Sequence, residues 1–135
     1  MLTLYINSDP EEDFLIALIN DNGLVGKSEY NDQLGLSEQL LLLIDELLKT
    51  NKFTKAQLTQ VAVKVGGGTF SSLRAAIATA NGLAYGLNIP VMPIAKNSSL
   101  EEVIKTCALT DIKKFQPVMP IYDHEPNITT KRVEL

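Results

Sequence analysis

The first thirty residues alternate in the manner of strands. Leu2, Leu4 and Ile6 interleave with Thr3, Tyr5 and Asn7, a period of two that puts one apolar face on Leu2–Asn7. A turn at Ser8-Asp9-Pro10-Glu11 separates this strand from a second, Phe14–Ile19. The second strand runs into Asn22-Gly23, a strong hairpin signal because glycine accepts positive φ without penalty. Leu24–Tyr30 then completes an antiparallel meander. After Gly35 the period changes to that of a helix. Glu38–Lys49 contains neither Gly nor Pro, and Ser37 is placed to cap its free N–H groups. Leu40, Ile44, Leu47 and Leu48 form one stripe, yet Leu41, Leu42 and Leu43 carry apolar surface almost round the cylinder. Such a helix either sits deep in the fold or packs one flank on the core and the other on a partner.

The second half alternates strand and helix. Thr54–Leu58 reads as a short helical turn, Gln60–Val65 as a buried strand and Phe70–Gly86 as a helix. Ile89–Ile94 is a further strand, confined by Pro90 and Pro93 to an edge or to strand ends. Ser98 or Ser99 caps a last helix, Leu100–Cys107. One short strand around Val118–Tyr122 and an extended tail complete the expectation. Hairpin strands followed by alternating helix and strand predict an α/β domain with a mixed sheet, residues 1–107, and a linker, strand and tail over 108–135.

Composition narrows the classes. The chain has 135 residues, enough for one domain to bury a core without metal or disulfide staples. Twelve Lys plus Arg against sixteen Asp plus Glu give a net charge of -4, which argues against a stand-alone nucleic-acid binder. Cys107 is the sole cysteine and has no internal disulfide partner. The first residues have no basic n-region and turn acidic quickly, and the longest obvious apolar run is residues 40–44, far short of the ~20 residues of a membrane helix. The expectation is a cytoplasmic protein with no membrane contact.

Candidate chemistry is sparse. Val65-Gly66-Gly67-Gly68-Thr69-Phe70 joins a strand to a helix start and could cradle an anion with Gly66, Gly67, Gly68 and Thr69, but lacks the Gly-Lys-Ser/Thr ending of a Walker loop. Three glycines are equally explained by a backbone that needs positive φ. In the following helix Ala76, Ala80 and Ala84 form one small-residue row, and Ala78, Gly82 and Gly86 another. Helix glycines each cost about 1 kcal/mol, so close packing on the sheet or on another chain must compensate. Arg74 stands one turn into that helix, where the macrodipole disfavours a cation, and fits either an anionic partner or a solvated surface. His124 is the only histidine, and Asp123, His124 and Glu125 are consecutive, so in an extended segment they cannot converge on one ion. Cys107 has no obvious activator. The acidic turn of Asp9, Glu11, Glu12 and Asp13 reads as solvated, and no catalytic constellation emerges.

Residues 61–90, VAVKVGGGTFSSLRAAIATANGLAYGLNIP, resemble the TsaB (YeaZ) family without a gap. Gly66, Gly68, Phe70, Leu73, Arg74, Ala78, Gly82, Leu83, Ala84 and Pro90 fall on the family's positions. Leu2–Ser8 and Ala17–Glu29 are similar to its first strands, Ser37–Leu48 to its long helix, Ser98-Ser99-Leu100-Glu101 to a helix start, and Met119–Thr129 to its C-terminal end. Departures accompany these. Where the family has Asp-Thr-Ser on the first strand this chain has Asn7-Ser8-Asp9; Leu36 replaces a histidine, Gly67 the proline of Gly-Pro-Gly, and Ser71-Ser72 a Thr-Gly. About ten residues, Ala108–Pro117, stand where the family carries a second subdomain, so the chain looks like a shortened form.

The resemblance implies a single actin-like ATPase (ribonuclease H-like) subdomain, its mixed sheet packed by helices. It also implies a non-catalytic dimerisation subunit of the machinery that makes threonylcarbamoyladenosine in tRNA. The partner would be a TsaD-like catalytic subunit carrying nucleotide and metal, with a TsaE-like accessory ATPase, tRNA met only indirectly, and a homodimer formed when TsaD is absent. On that reading Leu40, Leu41, Ile44, Leu47, Phe70, Leu73 and Ile77 are the apolar contacts, with Arg74 and the Gly66–Thr69 loop at their edge. A weak nucleotide-binding or ATP-hydrolysing domain is the alternative, and a peptidase a third reading that lacks its residues.

Overall fold

The computed structural model describes residues 1–8, 14–30, 36–66, 70–109 and 115–119; the side chains of Tyr30, residues 36–38, Phe70 and Ser71 are outside the description. Five strands form one mixed sheet in the order β3-β2-β1-β4-β5, with β1 Leu2–Asn7, β2 Phe14–Asn20, β3 Gly23–Tyr30, β4 Gln60–Lys64 and β5 Val91–Ile94. β1 is the hinge of the arrangement. It pairs antiparallel with β2, Leu4 opposite Leu18, and parallel with β4, Leu4 opposite Val61. The predicted meander is therefore present, and the crossover between β4 and β5 makes the other half parallel.

Three helices cover this sheet: α1 Leu36–Thr50, α2 Phe70–Leu87 and α3 Leu100–Leu109. Strand residues alternate between faces, and the core divides accordingly. Leu2, Leu4, Ile6, Phe14, Ile16, Leu18, Val61 and Val63 pack under α1 and α2, together with Leu40, Ile44, Leu73 and Ile77. Tyr5, Ala17, Ile19, Ala62 and Met92 pack on the other face under Val103 and Cys107 of α3. All six residues of β1 are buried because both of its faces are covered. β3 and β5 are the edges, and Pro93 sits on β5, where its missing N–H leaves no ladder position empty.

The ends of the elements follow local chemistry. Ser99, not Ser98, caps α3: its amide donates to Glu102 Oε1 at 2.8 Å and its Oγ accepts from the Glu102 amide at 3.2 Å, a reciprocal capping box. Hydrogen bonds from the Ser99 amide and, next in weight, the Ser99 hydroxyl hold the Glu102 carboxyl below the usual carboxylate range. α1 starts at Leu36, so Ser37 stands in its first turn rather than ahead of it. Both long helices end in a left-handed residue that is not glycine. In α1 it is Lys52 at φ 64°, with the Phe53 amide donating to Leu48 O at 2.9 Å; in α2 it is Asn88 at φ 58°, with the Ile89 amide donating to Ala84 O at 2.9 Å. α2 thus outruns the Gly86 that the sequence offers as a stop. Val118 and Met119 join no strand, which corrects the expectation there; residues 120–122 lie outside the description.

Lysine has no local compensation for positive φ, whereas asparagine tolerates it. Lys52→Gly should raise the unfolding free energy by about 1 kcal/mol, while Asn88→Gly should gain clearly less. Urea denaturation of the two variants measures the difference.

Candidate functional site

α1 and α2 lie side by side on one face of the sheet, and what they turn outward is the main candidate surface. The inward stripe of α1 is Leu40, Ile44, Leu47 and Leu48, all buried. The next positions round the helix are not covered: Leu41 keeps 48% of its surface and Leu42 keeps 63%. Leu43 is half-buried on the flank toward β3, where it lines a cleft of about 690 Å³ with Gly26, Ser28 and Asn51. Gly26 lets the helix end come that close, since a Cβ there would stand 2.7 Å from Asn51 Nδ2, which itself donates to Leu47 O at 2.8 Å.

α2 divides as sharply. Leu73, Ala76, Ile77, Ala80 and Ala84 are buried against the sheet. Arg74, Ala78, Gly82, Tyr85 and Gly86 face outward, Tyr85 at 72% exposure. Of the two small-residue rows, the first has its close neighbour in the sheet. The second has none among the described residues: a Cβ built on Gly82 or Gly86 meets nothing within 4 Å.

Five of the expected contact residues therefore need correction. Leu40, Ile44, Leu47, Leu73 and Ile77 are buried in the chain's own core, because β1, β2 and β4 supply the apolar surface that their stripes match. Leu41 is exposed as a contact would be, and Leu42, which the contact set omitted, is more exposed still. Arg74 is exposed and engaged with a neighbour. Phe70 opens α2, with its side chain outside the description. Of the glycine loop, Gly66 is buried at the end of β4, while Gly67, Gly68 and Thr69 lie outside the described residues, as do His124 and the acidic turn at 9–13.

A second set of polar groups is buried at the ends of β1 and β4 and in the first turn of α2. Asn7, Ser8, Lys64 and Ser72 are all buried, Lys64 at 1% exposure. Asn7 and Lys64 fall on the α3 side of the sheet by strand alternation, whereas Ser72 belongs to α2 on the other side. The sheet thus divides them, although Asn7, Lys64 and Ser72 each engage a neighbour. Cys107 is buried under the same face, and burial pushes its thiol up to about 11, partly offset by a hydrogen bond with Thr3. Among the described residues no three His, Cys, Asp or Glu side chains come together as a metal site would need, and no helix is long and apolar enough to cross a membrane.

A family model described as TsaD: tRNA N6-adenosine threonylcarbamoyltransferase matches residues 33–124, more than half of the chain. The chain belongs to this family. Curated relatives carry the name tRNA threonylcarbamoyladenosine biosynthesis protein TsaB. That of Buchnera aphidicola is 41% identical over 51 residues, 38% of this chain and 23% of the relative. That of Haemophilus influenzae is 30% identical over 66 residues, 49% of this chain and 28% of the relative. The chain thus spans about a quarter of the length of these relatives. Among solved structures, YeaZ from Pseudomonas aeruginosa superposes with a TM-score of 0.59 at 22% identity, over 70% of this chain and 42% of that one. A protein with similarity to peptidase YEAZ from the same organism gives 0.63 at 22% identity, over 70% and 43%. The names of the curated relatives agree with the TsaB (YeaZ) resemblance, and the solved structures agree with the mixed α/β fold.

A buried, protonated thiol is a poor nucleophile. Cys107 in the folded chain should react with a disulfide reagent at pH 8 at least tenfold more slowly than in denaturant. Because its folded pKa is raised, its contribution to stability is complete below the ordinary thiol pKa and is lost as the pH climbs toward 11. Reagent kinetics and a urea series between pH 7 and 11 test both statements.

Proposed function

We propose that this chain is a non-catalytic scaffold and dimerisation subunit in tRNA threonylcarbamoyladenosine formation, and that it docks a TsaD-like catalytic subunit, or a second copy of itself, on the outward face of α1 and α2. The family match and the TsaB names of the relatives support the pathway. One observation carries the role: Leu41 and Leu42 on α1, and Tyr85 with the Ala78, Gly82 and Gly86 row on α2, stand uncovered on two adjacent helices. Exposed leucines singly are ordinary. Here the neighbouring helix also exposes an aromatic residue and a row that permits close approach of another backbone, and these are interface features. The alternative, a weak nucleotide-binding or ATP-hydrolysing domain, draws on the glycine loop Gly66–Thr69, of which Gly67, Gly68 and Thr69 lie outside the described residues. Calorimetric titration with ATP decides between the two, and sub-millimolar binding by this chain alone would reverse the order.

Burying a carboxylate at the centre of an interface removes about 2 kcal/mol or more of binding. Leu42→Asp should therefore weaken association by at least about 30-fold while far-UV circular dichroism and the melting temperature stay near wild type. Ile44→Asp should instead unfold the chain, since Ile44 is core. Retained association in folded Leu42→Asp removes this face from the proposal.

The exposed glycines give an opposite pair of effects. Gly82→Ala and Gly86→Ala should each stabilise the isolated chain by about 1 kcal/mol, because open space receives the methyl group. The same substitutions should weaken association, because they thicken the row on which a partner backbone lies. Thermal unfolding and sedimentation on the same samples report the two signs.

A further inference from the structure

Among the described residues the sheet ends in two strands that have a neighbour on one side only, β3 and β5. They are not equal as edges. β5 has four residues and carries Pro93, which cannot donate to a further ladder. β3 has eight residues, Gly23–Tyr30, and no proline. Its register with β2 shifts at Leu18/Ile19: Ile19 faces Leu24, Leu18 faces Gly26, and Val25 is the extra residue. A bulge of this kind bends and twists its strand, which leaves residues 26–30 as the regular part. Space lies beside that part. The cleft of about 690 Å³ has Gly26, Lys27 and Ser28 on one wall and Leu43, Glu46 and Asn51 on the other, so α1 stands off from the edge.

The charges on this stretch form a pattern. Lys27 and Glu29 are both exposed, share one face of the strand and stand 3.9 Å apart from Nζ to Oε2. A lysine on an open edge ordinarily deters pairing. With a glutamate two residues on, it deters most registers and favours one. Consider two copies of β3 pairing antiparallel about a two-fold axis normal to the sheet. Side chains then keep their faces only if the axis passes through a residue. An axis through Lys27 sets lysine against lysine, and one through Glu29 sets glutamate against glutamate. An axis through Gly26 sets Lys27 against the bulged Val25. Only an axis through Ser28 puts Lys27 opposite Glu29 of the second copy, and Glu29 opposite its Lys27. Opposite charges directly across a strand pair attract, and the four charges then alternate round a square.

We propose that the β3 edge, residues 26–30, is a self-pairing surface on which two copies of this chain join antiparallel about Ser28 into one continuous sheet. The backbone N–H and C=O groups that β3 turns away from β2 supply the hydrogen bonds. The crossed Lys27 and Glu29 pairs fix the register. The contact is isologous and closes after two subunits, so it consumes the edge and no fibre grows from it. It uses no residue of the outward face of α1 and α2, and it stands or falls independently of the function proposed above.

Charge reversal in full-length chains tests this. Every chain carries Tyr85→Asp, which places a carboxylate on the outward face of α2 and removes association there. On that parent, Lys27→Glu brings four carboxylates together and Glu29→Lys four ammonium groups. Each should weaken self-association by about tenfold or more in sedimentation equilibrium at low ionic strength. An equal mixture of the two variants should associate as tightly as the parent. The double reversal Lys27→Glu/Glu29→Lys restores the crossed pairs within one chain and should do so too. A parent that stays monomeric at millimolar concentration overturns the proposal, as does a mixture no more associated than its components. Circular dichroism checks that the variants are folded. Should one be unfolded, hydrogen exchange in the parent decides: amides of residues 26–30 should exchange more slowly as concentration rises, and exchange that does not change overturns the pairing even if the chain dimerises elsewhere.

Discussion

A sheet has two faces, and here the chain's own helices divide over them two to one, with β1 as the strand that requires both covers. Its alternate residues enter separate cores, Leu2, Leu4 and Ile6 under α1 and α2, and Tyr5 under α3. Take away either layer and half of β1 would face water. The pairing on its two sides follows from the same position: the antiparallel hairpin partner arrives directly, and the parallel partner arrives by way of α1. A helix on a sheet can press only one stripe of its circumference against it. Each of the two helices on the crowded face therefore has an outer side that the sheet does not reach, and Leu41, Leu42 and Tyr85 are exposed there.

That limit separates two kinds of apolar residue that look alike in a sequence. The stripe Leu40, Ile44, Leu47 and Leu48 is legible from its spacing, and the structure buries all four. Spacing says that a face is buried without saying by what. The strongest periodicity marks the chain's own core, since the sheet has the matching length and shape. Leu41 and Leu42 are the residues that break the pattern, and it is they that stay exposed. The same holds on α2, where Leu73 and Ile77 carry the period and Tyr85 stands outside it.

Other features were readable in proportion to how local their causes are. The Asn22-Gly23 turn and the Ser99–Glu102 cap depend on residues within four positions, and both are present. Lys64 depends on distant ones. Gln60–Val65 reads as a buried strand, but nothing local says that its lysine is buried with it, and only 1% of Lys64 is accessible. Val118 is similar: nothing in its neighbourhood announces that an asparagine 37 residues earlier will hold its backbone. α1 and α2 each run one residue past their expected ends, to Thr50 and Leu87. Lys52 and Asn88 follow at positive φ, where glycine is the commonest residue, with the local hydrogen bonds from Phe53 to Leu48 and from Ile89 to Ala84 closing the turns.

The two small-residue rows of α2 are identical in spacing and opposite in circumstance. Ala76, Ala80 and Ala84 have a reason within the chain, because a small side chain lets the helix axis approach the sheet, and all three are fully buried. Ala78, Gly82 and Gly86 have none there. A helix interior with two glycines forgoes about 2 kcal/mol relative to alanine, an appreciable part of the 5–15 kcal/mol that holds a domain folded. No close neighbour among the described residues recovers that loss. The row resembles the buried one so closely that the same physical account applies to it, namely the approach of a flat surface to the helix backbone. Among the described residues nothing brings such a surface to this side, and that is why the proposed docking face includes this row beside the exposed leucines of α1.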